Sequence, residues 1–158
     1  MTVDIRETGD SLVIHCPADT CLIEEIQRSV CRKILSLIGS KNGFKDCLQD
    51  ISVALDEILS NAMTHAYRGS KTGGTVDAEV KVRENEVVFT VDDYGDARWI
   101  RDYREPRFNT EEEKLRPDGR GIYIAKRFMD GLEMRANKRG GTRIVMKKNL
   151  SLDRQTVR

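Results

Sequence analysis

The sequence lacks a long apolar run and a closely spaced cysteine pair. No segment approaches the roughly 18 to 20 apolar residues of a membrane span, and the first residues lack the apolar core of a signal peptide. None of the four cysteines belongs to a Cys-x-x-Cys pair, which argues against a zinc site and a disulfide framework. We therefore expect a cytoplasmic protein of a reducing compartment that makes no membrane contact.

The sequence also has almost no net charge, because 27 Lys and Arg residues nearly cancel 26 Asp and Glu residues. Bulk charge therefore does not indicate nucleic acid as a direct partner. The charges are unevenly distributed, since residues 120–158 contain 11 basic residues and 3 acidic ones. This basic segment would suit a polyanionic ligand such as a nucleotide, whereas solvated Lys and Arg side chains on one face of a sheet are the simpler explanation.

Two common phosphate-binding motifs are missing as well. Residues 69–72 read Gly-Ser-Lys-Thr without the Gly-x-x-x-x-Gly-Lys-Ser/Thr order of a P-loop, so a turn is the better interpretation. The Gly119-Arg120-Gly121 segment does not match Gly-x-Gly-x-x-Gly, which disfavours a Rossmann dinucleotide site. The sequence therefore predicts neither a P-loop nor a Rossmann dinucleotide site.

The chain length of 158 residues and the hydrophobic content of 39% predict one domain over residues 1–150, followed by a short tail over residues 151–158. Apolar residues at helical spacing predict one helix from Asp19 or Thr20 to Gly39 and a second from Gly43 to Arg68. The first helix is expected to bury Leu37 at its end.

Alternating apolar residues predict six strands in three pairs. The pairs lie on either side of residues 8–11, over residues 76–91 and over residues 132–148, and a third helix begins after Gly121. Between them, residues 94–118 form a long lid without regular periodicity, apart from a short helix at 110–113. This order predicts an α/β fold, a two-layer sandwich with a mixed sheet and helices on one face.

The second helix contains two polar residues suited to catalysis. Glu57 and Asn61 are four residues apart and therefore project from the same helical face, about 6 Å apart along the axis. Asn61 would give Mg²⁺ an oxygen ligand, and Glu57 would serve as a general base beside it. Taken alone, a solvated Glu and an Asn bonded to a loop are the more ordinary interpretations.

Two other segments complete a nucleotide site. Asp93 follows a predicted buried strand, where its carboxylate can accept the exocyclic amine of adenine, and Gly95 allows close approach of the backbone. Gly119, Arg120 and Gly121 place unpaired N–H groups at a helix N-terminus, which is a natural cradle for phosphate. Together with Glu57, these segments predict binding of ATP.

These segments resemble the motifs of a known superfamily. Residues 56–67, Asp93-Tyr94-Gly95, Gly119-Arg120-Gly121-Ile122 and Gly140-Gly141-Thr142 resemble the N box, the two glycine boxes and the terminal Gly-Thr of the GHKL ATPases. Within that superfamily they are most similar to the bacterial anti-sigma-factor serine/threonine kinases. The resemblance covers roughly residues 10–148 and implies a Bergerat (histidine-kinase-like) ATPase fold that binds ATP and Mg²⁺.

The resemblance also implies roles for individual residues. Glu57 matches the catalytic base and Asn61 the magnesium ligand, while Asp93 and Gly95 match the adenine site. The remaining matches are the phosphate-loop glycines, the threonine near adenine and a pocket histidine, at Gly119, Gly121, Thr142 and His65. Arg116 is the candidate for the arginine that stabilises the transferred phosphoryl group, although Pro117 stands in the family's register for it.

The partners that the resemblance implies are a STAS-domain antagonist, phosphorylated on serine or threonine, and a sigma factor held by a homodimer. A second hypothesis makes the protein an ATP-gated switch that sequesters a regulatory partner without phosphorylating it. A detached histidine-kinase catalytic domain is disfavoured, because no helix pair with a phosphoacceptor histidine precedes the ATP motifs.

Overall fold

Six strands form one sheet in a computed structural model, which describes residues 2–39, 44–68, 73–115 and 119–150. The strands are β1 (Asp4–Thr8), β2 (Ser11–Pro17), β3 (Thr75–Arg83), β4 (Glu86–Asp93), β5 (Gly131–Ala136) and β6 (Thr142–Asn149). Their order across the sheet is β1-β2-β3-β4-β6-β5. All three strand pairs that the sequence predicts are present.

Within these described ranges, five α-helices accompany the sheet: α1 (Ile23–Ile38), α2 (Phe44–Ser60), α3 (Trp99–Asp102), α4 (Glu111–Leu115) and α5 (Arg120–Phe128). A 3₁₀ turn precedes α1, and the Asp19 carboxylate caps it by accepting a bond from the Cys21 N–H at 2.9 Å. Among the described helices, none has both the length and the apolar content that crossing a bilayer requires.

The sheet is antiparallel at all five strand pairs, so the prediction of a mixed sheet was wrong. The reason is the number of chain reversals between neighbouring strands. Two successive helices, α1 and α2, separate β2 from β3, and β3 therefore enters opposite to β2. The crossover through α5 leads from β4 to β5, and β6 then returns between them.

One face of the sheet is covered and the other is open, as a two-layer sandwich requires. Alternate residues of β2, β3, β4 and β6 are buried against α1, α2 and α5, whereas most of their neighbours are at least partly accessible. The largest fully buried side chain is Phe89 of β4. The α/β sandwich with helices on one face is confirmed.

The end of α1 differs from the prediction. Ile26, Val30 and Ile34 are buried as expected, but Leu37 is 45% exposed. The helix ends at Ile38, and Gly39 terminates it with φ of +75°. Ile38 of the same last turn packs against the core, so Leu37 lies beside the buried stripe of α1 and not on it.

A buried ion pair connects three elements beneath the sheet. The Lys148 ammonium of β6 is 2.8 Å from an Asp50 carboxylate oxygen of α2 and 2.5 Å from the Phe128 carbonyl oxygen that ends α5. The Lys148 side chain is only 1% exposed, whereas that of Asp50 is 24% exposed. Lys148 therefore holds α2 and α5 at a fixed distance from the sheet.

This ion pair gives a stability prediction. We expect Asp50→Ala to lower the free energy of unfolding by about 2 kcal/mol, since it leaves a buried ammonium without its counter-charge. Lys148→Met, which removes the charge and keeps the stem, is expected to change it by less than about 1 kcal/mol. Urea unfolding followed by circular dichroism measures both values, and equal losses in the two variants would contradict the expectation.

Candidate functional site

The end of α2 departs from regular helix where the sequence predicts a metal ligand. Asn61 begins a five-residue π-helical segment, Asn61–His65, and its carbonyl accepts the Ala66 N–H at 3.4 Å. Such wide turns often occur at functional sites. Glu57 lies in the regular part of the helix one turn earlier, and both side chains are half-buried.

The N-terminal turn of α5 lies directly against Glu57. A Cβ atom on Gly121 would be 2.8 Å from Glu57 Oε2, so only glycine allows this approach without moving the carboxylate. Gly119 caps α5 in a left-handed conformation, with φ of +85°. The predicted base and the predicted phosphate loop, more than sixty residues apart in sequence, therefore meet.

The position of Glu57 affects its protonation. Partial burial raises the pKa of its carboxyl above the ordinary value, and the negative charge of Asp56 raises it further. A carboxylate with a raised pKa is a stronger base than a solvated one. Glu57 therefore has the environment expected of a proton acceptor.

Asp93 ends β4 on the covered face of the sheet and is almost fully buried. Its Oδ1 atom accepts bonds from the N–H groups of Gly95 at 3.0 Å and Thr142 at 3.2 Å. Burial raises the pKa of Asp93, and these two backbone donors partly oppose the shift. A buried, oriented carboxylate beside a buried hydroxyl is suited to recognising an amino group on a planar ring.

Gly95 joins this strand end to the end of α2. A Cβ atom at position 95 would overlap the Ala66 carbonyl oxygen, which is backbone and has no rotamer to change. The two predicted motifs therefore touch through their main chains.

This contact predicts a large effect of a small substitution. Gly95→Ala is expected to lower the free energy of unfolding by about 1–3 kcal/mol, because the strand end and the π segment must separate. Gly73→Ala is the matched control, since a Cβ atom there has no heavy atom within 4 Å. Thermal unfolding compares the two, and an unchanged midpoint for Gly95→Ala would disprove the close approach.

Two residues that the sequence reasoning did not assign hold this region together. The Tyr67 hydroxyl accepts the Tyr94 N–H at 2.8 Å and donates to the Thr75 carbonyl. Asn137 donates from Nδ2 to the Asp93 carbonyl at 2.8 Å. Tyr67 belongs to the motif at residues 56–67, so the sequence contained a signal for it. Asn137 precedes the Gly140-Gly141-Thr142 motif, in a turn, and no sequence signal pointed to it.

The lid packs over the same place. The Trp99 indole N–H of α3 donates to the Thr142 hydroxyl at 3.1 Å, and Glu105 pairs with Lys126 of α5 at 2.6 Å. The short helix predicted at 110–113 is present as α4. Described lid residues thus contact both Thr142, which is predicted to lie near adenine, and the helix that follows the predicted phosphate loop.

Two predicted site residues have their described contacts outside this cluster, and a third is not among the described residues. His65 is exposed and its Nδ1 atom lies 3.0 Å from the Arg68 guanidinium, while Arg120 lies over the Phe108 ring at 5.5 Å. Arg116 lies outside the described residues, as does the 69–72 turn. Their roles in binding and catalysis stay predictions.

Comparison with known proteins agrees with this geometry. Residues 23–148 match the model of the histidine kinase-like ATPase domain, and the chain belongs to this family. It is therefore a GHKL-type ATPase domain, and the family implies ATP as its ligand. The buried Asp93 carboxylate, the Thr142 hydroxyl and the glycine-lined start of α5 fit the adenine and phosphate ends of that nucleotide.

Within this family the chain is similar to anti-sigma F factors. The protein of that name from Clostridium perfringens (strain SM101 / Type A) is 34% identical over 105 residues, which cover 66% of this chain and 74% of the relative. Those from Clostridium botulinum (strain Eklund 17B / Type B) and Clostridium kluyveri (strain ATCC 8527) are 32% and 30% identical. The segment matched to the C. botulinum protein covers 68% of this chain and 74% of that relative, and the segment matched to the C. kluyveri protein covers 65% and 71%.

Proposed function

We propose that the protein is a cytoplasmic anti-sigma-factor serine/threonine kinase. It binds Mg-ATP, transfers the γ-phosphoryl group to a hydroxyl of a STAS-domain antagonist, and as a homodimer sequesters a sigma factor. The contact between Glu57 and the first turn of α5 carries the proposal, because a carboxylate with a raised pKa beside a helix N-terminus suits transfer of a phosphoryl group. The similarity to anti-sigma F factors supports the regulatory partner.

The proposed reaction assigns a task to each part of the site. Glu57 orients the substrate hydroxyl and accepts its proton as the oxygen bonds to the γ-phosphorus and the bond to the β-phosphate bridging oxygen breaks, which releases ADP. Backbone N–H groups at the start of α5 hold the phosphates, and Asn61 would hold Mg²⁺, which neutralises phosphate charge when bound. Arg116 would stabilise charge on the transferred group.

The direct test uses ATP labelled at the γ-phosphate. The full chain is mixed with STAS-domain proteins from the same genome, and label on the STAS protein is measured after gel separation. We expect label on serine or threonine of one such protein and none when Mg²⁺ is chelated. Absence of transfer to all of them, with ATP still bound, would reject the kinase.

The lid contact favours one alternative, an ATP-gated switch without phosphoryl transfer. Trp99 donates to the Thr142 hydroxyl, the group predicted to lie near adenine, so nucleotide and lid would compete for it. Nucleotide binding would then change the surface offered to a partner. ATP-dependent capture of a sigma factor without phosphorylation of a STAS protein would support this alternative.

A further inference from the structure

Four basic side chains gather at one corner of the open sheet face, at the ends of β4, β5 and β6. We call these four residues the basic corner: Arg135, Lys138, Arg139 and Arg143. Arg135 and Arg143 are register partners on β5 and β6, and Arg143 faces Asp92 on β4. Because successive strand residues alternate between faces, the strand residues Arg135 and Arg143 lie on the face opposite Asp93. Lys138 and Arg139 lie in the turn between β5 and β6.

The basic corner surrounds a cavity in the protein surface. A cavity of about 360 Å³ is lined by these residues together with Asp92 and Tyr94. The Arg139 guanidinium lies 4.0 Å from the centroid of the Tyr94 ring, which holds a flexible side chain in place without neutralising it. The cavity therefore presents fixed positive charge beside an aromatic wall.

Charge is not balanced within the cavity. The Asp92 carboxylate is already bound by Arg143, with the guanidinium Nε and Nη2 atoms at 2.8 and 2.7 Å. In the part of the chain that the structure describes, Arg135, Lys138 and Arg139 form no ion pair with a carboxylate. Three cations thus surround a cavity whose one carboxylate is occupied.

We propose that the basic corner binds a short acidic segment of a partner protein. The Arg143–Asp92 pair shows that a carboxylate fits this place in the two-bond geometry that guanidinium prefers. The next register row of the open face contains Val145 and Thr90 between Glu133 and Glu79. The half-buried Val145 offers apolar contact for a peptide, and the glutamates would repel a long polyanion such as nucleic acid.

A charge-reversal experiment tests the proposal on the full chain. The probe is a fluorescein-labelled hexaglutamate peptide, and its binding is followed by fluorescence anisotropy at low and at physiological salt. The double variant Arg135→Glu/Lys138→Glu is expected to bind the peptide at least about tenfold more weakly than the native chain. Its affinity for Mg-ATP, measured by calorimetry, is expected to stay unchanged, which separates this site from the proposed kinase site.

The matched control is Arg6→Glu/Arg28→Glu, which makes the same change in net charge at exposed positions on β1 and α1. Equal weakening in this control would overturn the proposal, because binding would then follow net charge alone. Tighter binding of a single-stranded oligonucleotide than of the peptide, with the same sensitivity to Arg135→Glu, would also overturn it. A change of oligomeric state in the double variant by light scattering would instead assign the corner to a second copy.

Lys138→Glu alone provides a second measurement if the double variant does not fold. Lys138 is exposed in the turn between β5 and β6, where a carboxylate disturbs no packing. We expect this variant to bind hexaglutamate several-fold more weakly, about threefold or more. Undiminished binding by this folded variant would overturn the proposal.

Discussion

Glu57→Gln is expected to lower the rate of phosphoryl transfer by about 10²–10⁴-fold while the affinity for Mg-ATP stays within about twofold of the native value. The amide has the shape of the carboxylate and can still lie against Gly121, so the start of α5 keeps its position. It cannot accept a proton at neutral pH. The loss should therefore fall on the chemical step and not on binding.

The measurement pairs single-turnover transfer from γ-labelled ATP with calorimetry of Mg-ATP binding. Asp56→Asn is the matched control, because it removes a carboxylate from the adjacent, exposed position of the same helix. This control should retain most of its transfer rate. Equal losses in the two variants, or full activity in Glu57→Gln, would contradict the assignment of Glu57 as base.

The pH dependence follows from the sign of the shift. The pKa of Glu57 is raised above 4.5 by burial and then by Asp56, and the base works only when ionised. The transfer rate should therefore fall as pH decreases through this raised pKa. In Asp56→Asn one raising cause is gone, so the acidic limb of the rate profile should move to lower pH. If the acidic limb of Asp56→Asn stays at the pH of the native protein, that limb does not report the ionisation of Glu57.

Local periodicity was sufficient to predict most of the fold. The spacing of Ile26, Val30 and Ile34 and the alternation along β3 and β4 predicted elements that the structure contains, because each element buries one face. Strand direction was not predictable in the same way. It depends on how many times the chain reverses between neighbouring strands, and residue spacing alone does not give the spatial order of β4, β6 and β5.

The candidate site was predicted only in part, because the sequence indicates local backbone tasks more readily than contacts that form on folding. Motif residues with a specific backbone task, such as Gly95 and Gly121, lie at the contacts where the separate segments meet. Asn137 was missed because its task, holding the Asp93 carbonyl, exists only after the turn before β6 has folded back onto β4. The wide turn at Asn61 was missed too, since helical spacing does not distinguish a π segment from its α-helical neighbour.

Asp93→Asn is expected to weaken ATP binding by about 10- to 100-fold, which corresponds to loss of one hydrogen bond to a charged group. Asparagine keeps an oxygen for the N–H groups of Gly95 and Thr142, so the strand end should remain folded. The folded-state pKa of Asp93 is raised above 3.8, so ionisation of this buried group lowers stability as pH rises from the unfolded-state pKa to the raised folded-state pKa, and the loss stays constant at higher pH. The neutral amide removes this penalty, and the melting temperature at neutral pH should not fall.

The choice of nucleotide distinguishes a lost adenine contact from a damaged pocket. Inosine triphosphate has a carbonyl where ATP has its exocyclic amine, so the native Asp93 carboxylate should repel it, whereas the side-chain amide of the Asp93→Asn variant should donate to it. We therefore expect the variant to bind inosine triphosphate as well as or better than ATP, a reversal of the native preference. Calorimetry with both nucleotides on both proteins measures this reversal. Equal weakening for the two nucleotides would mean that Asp93 supports the pocket without contacting the base.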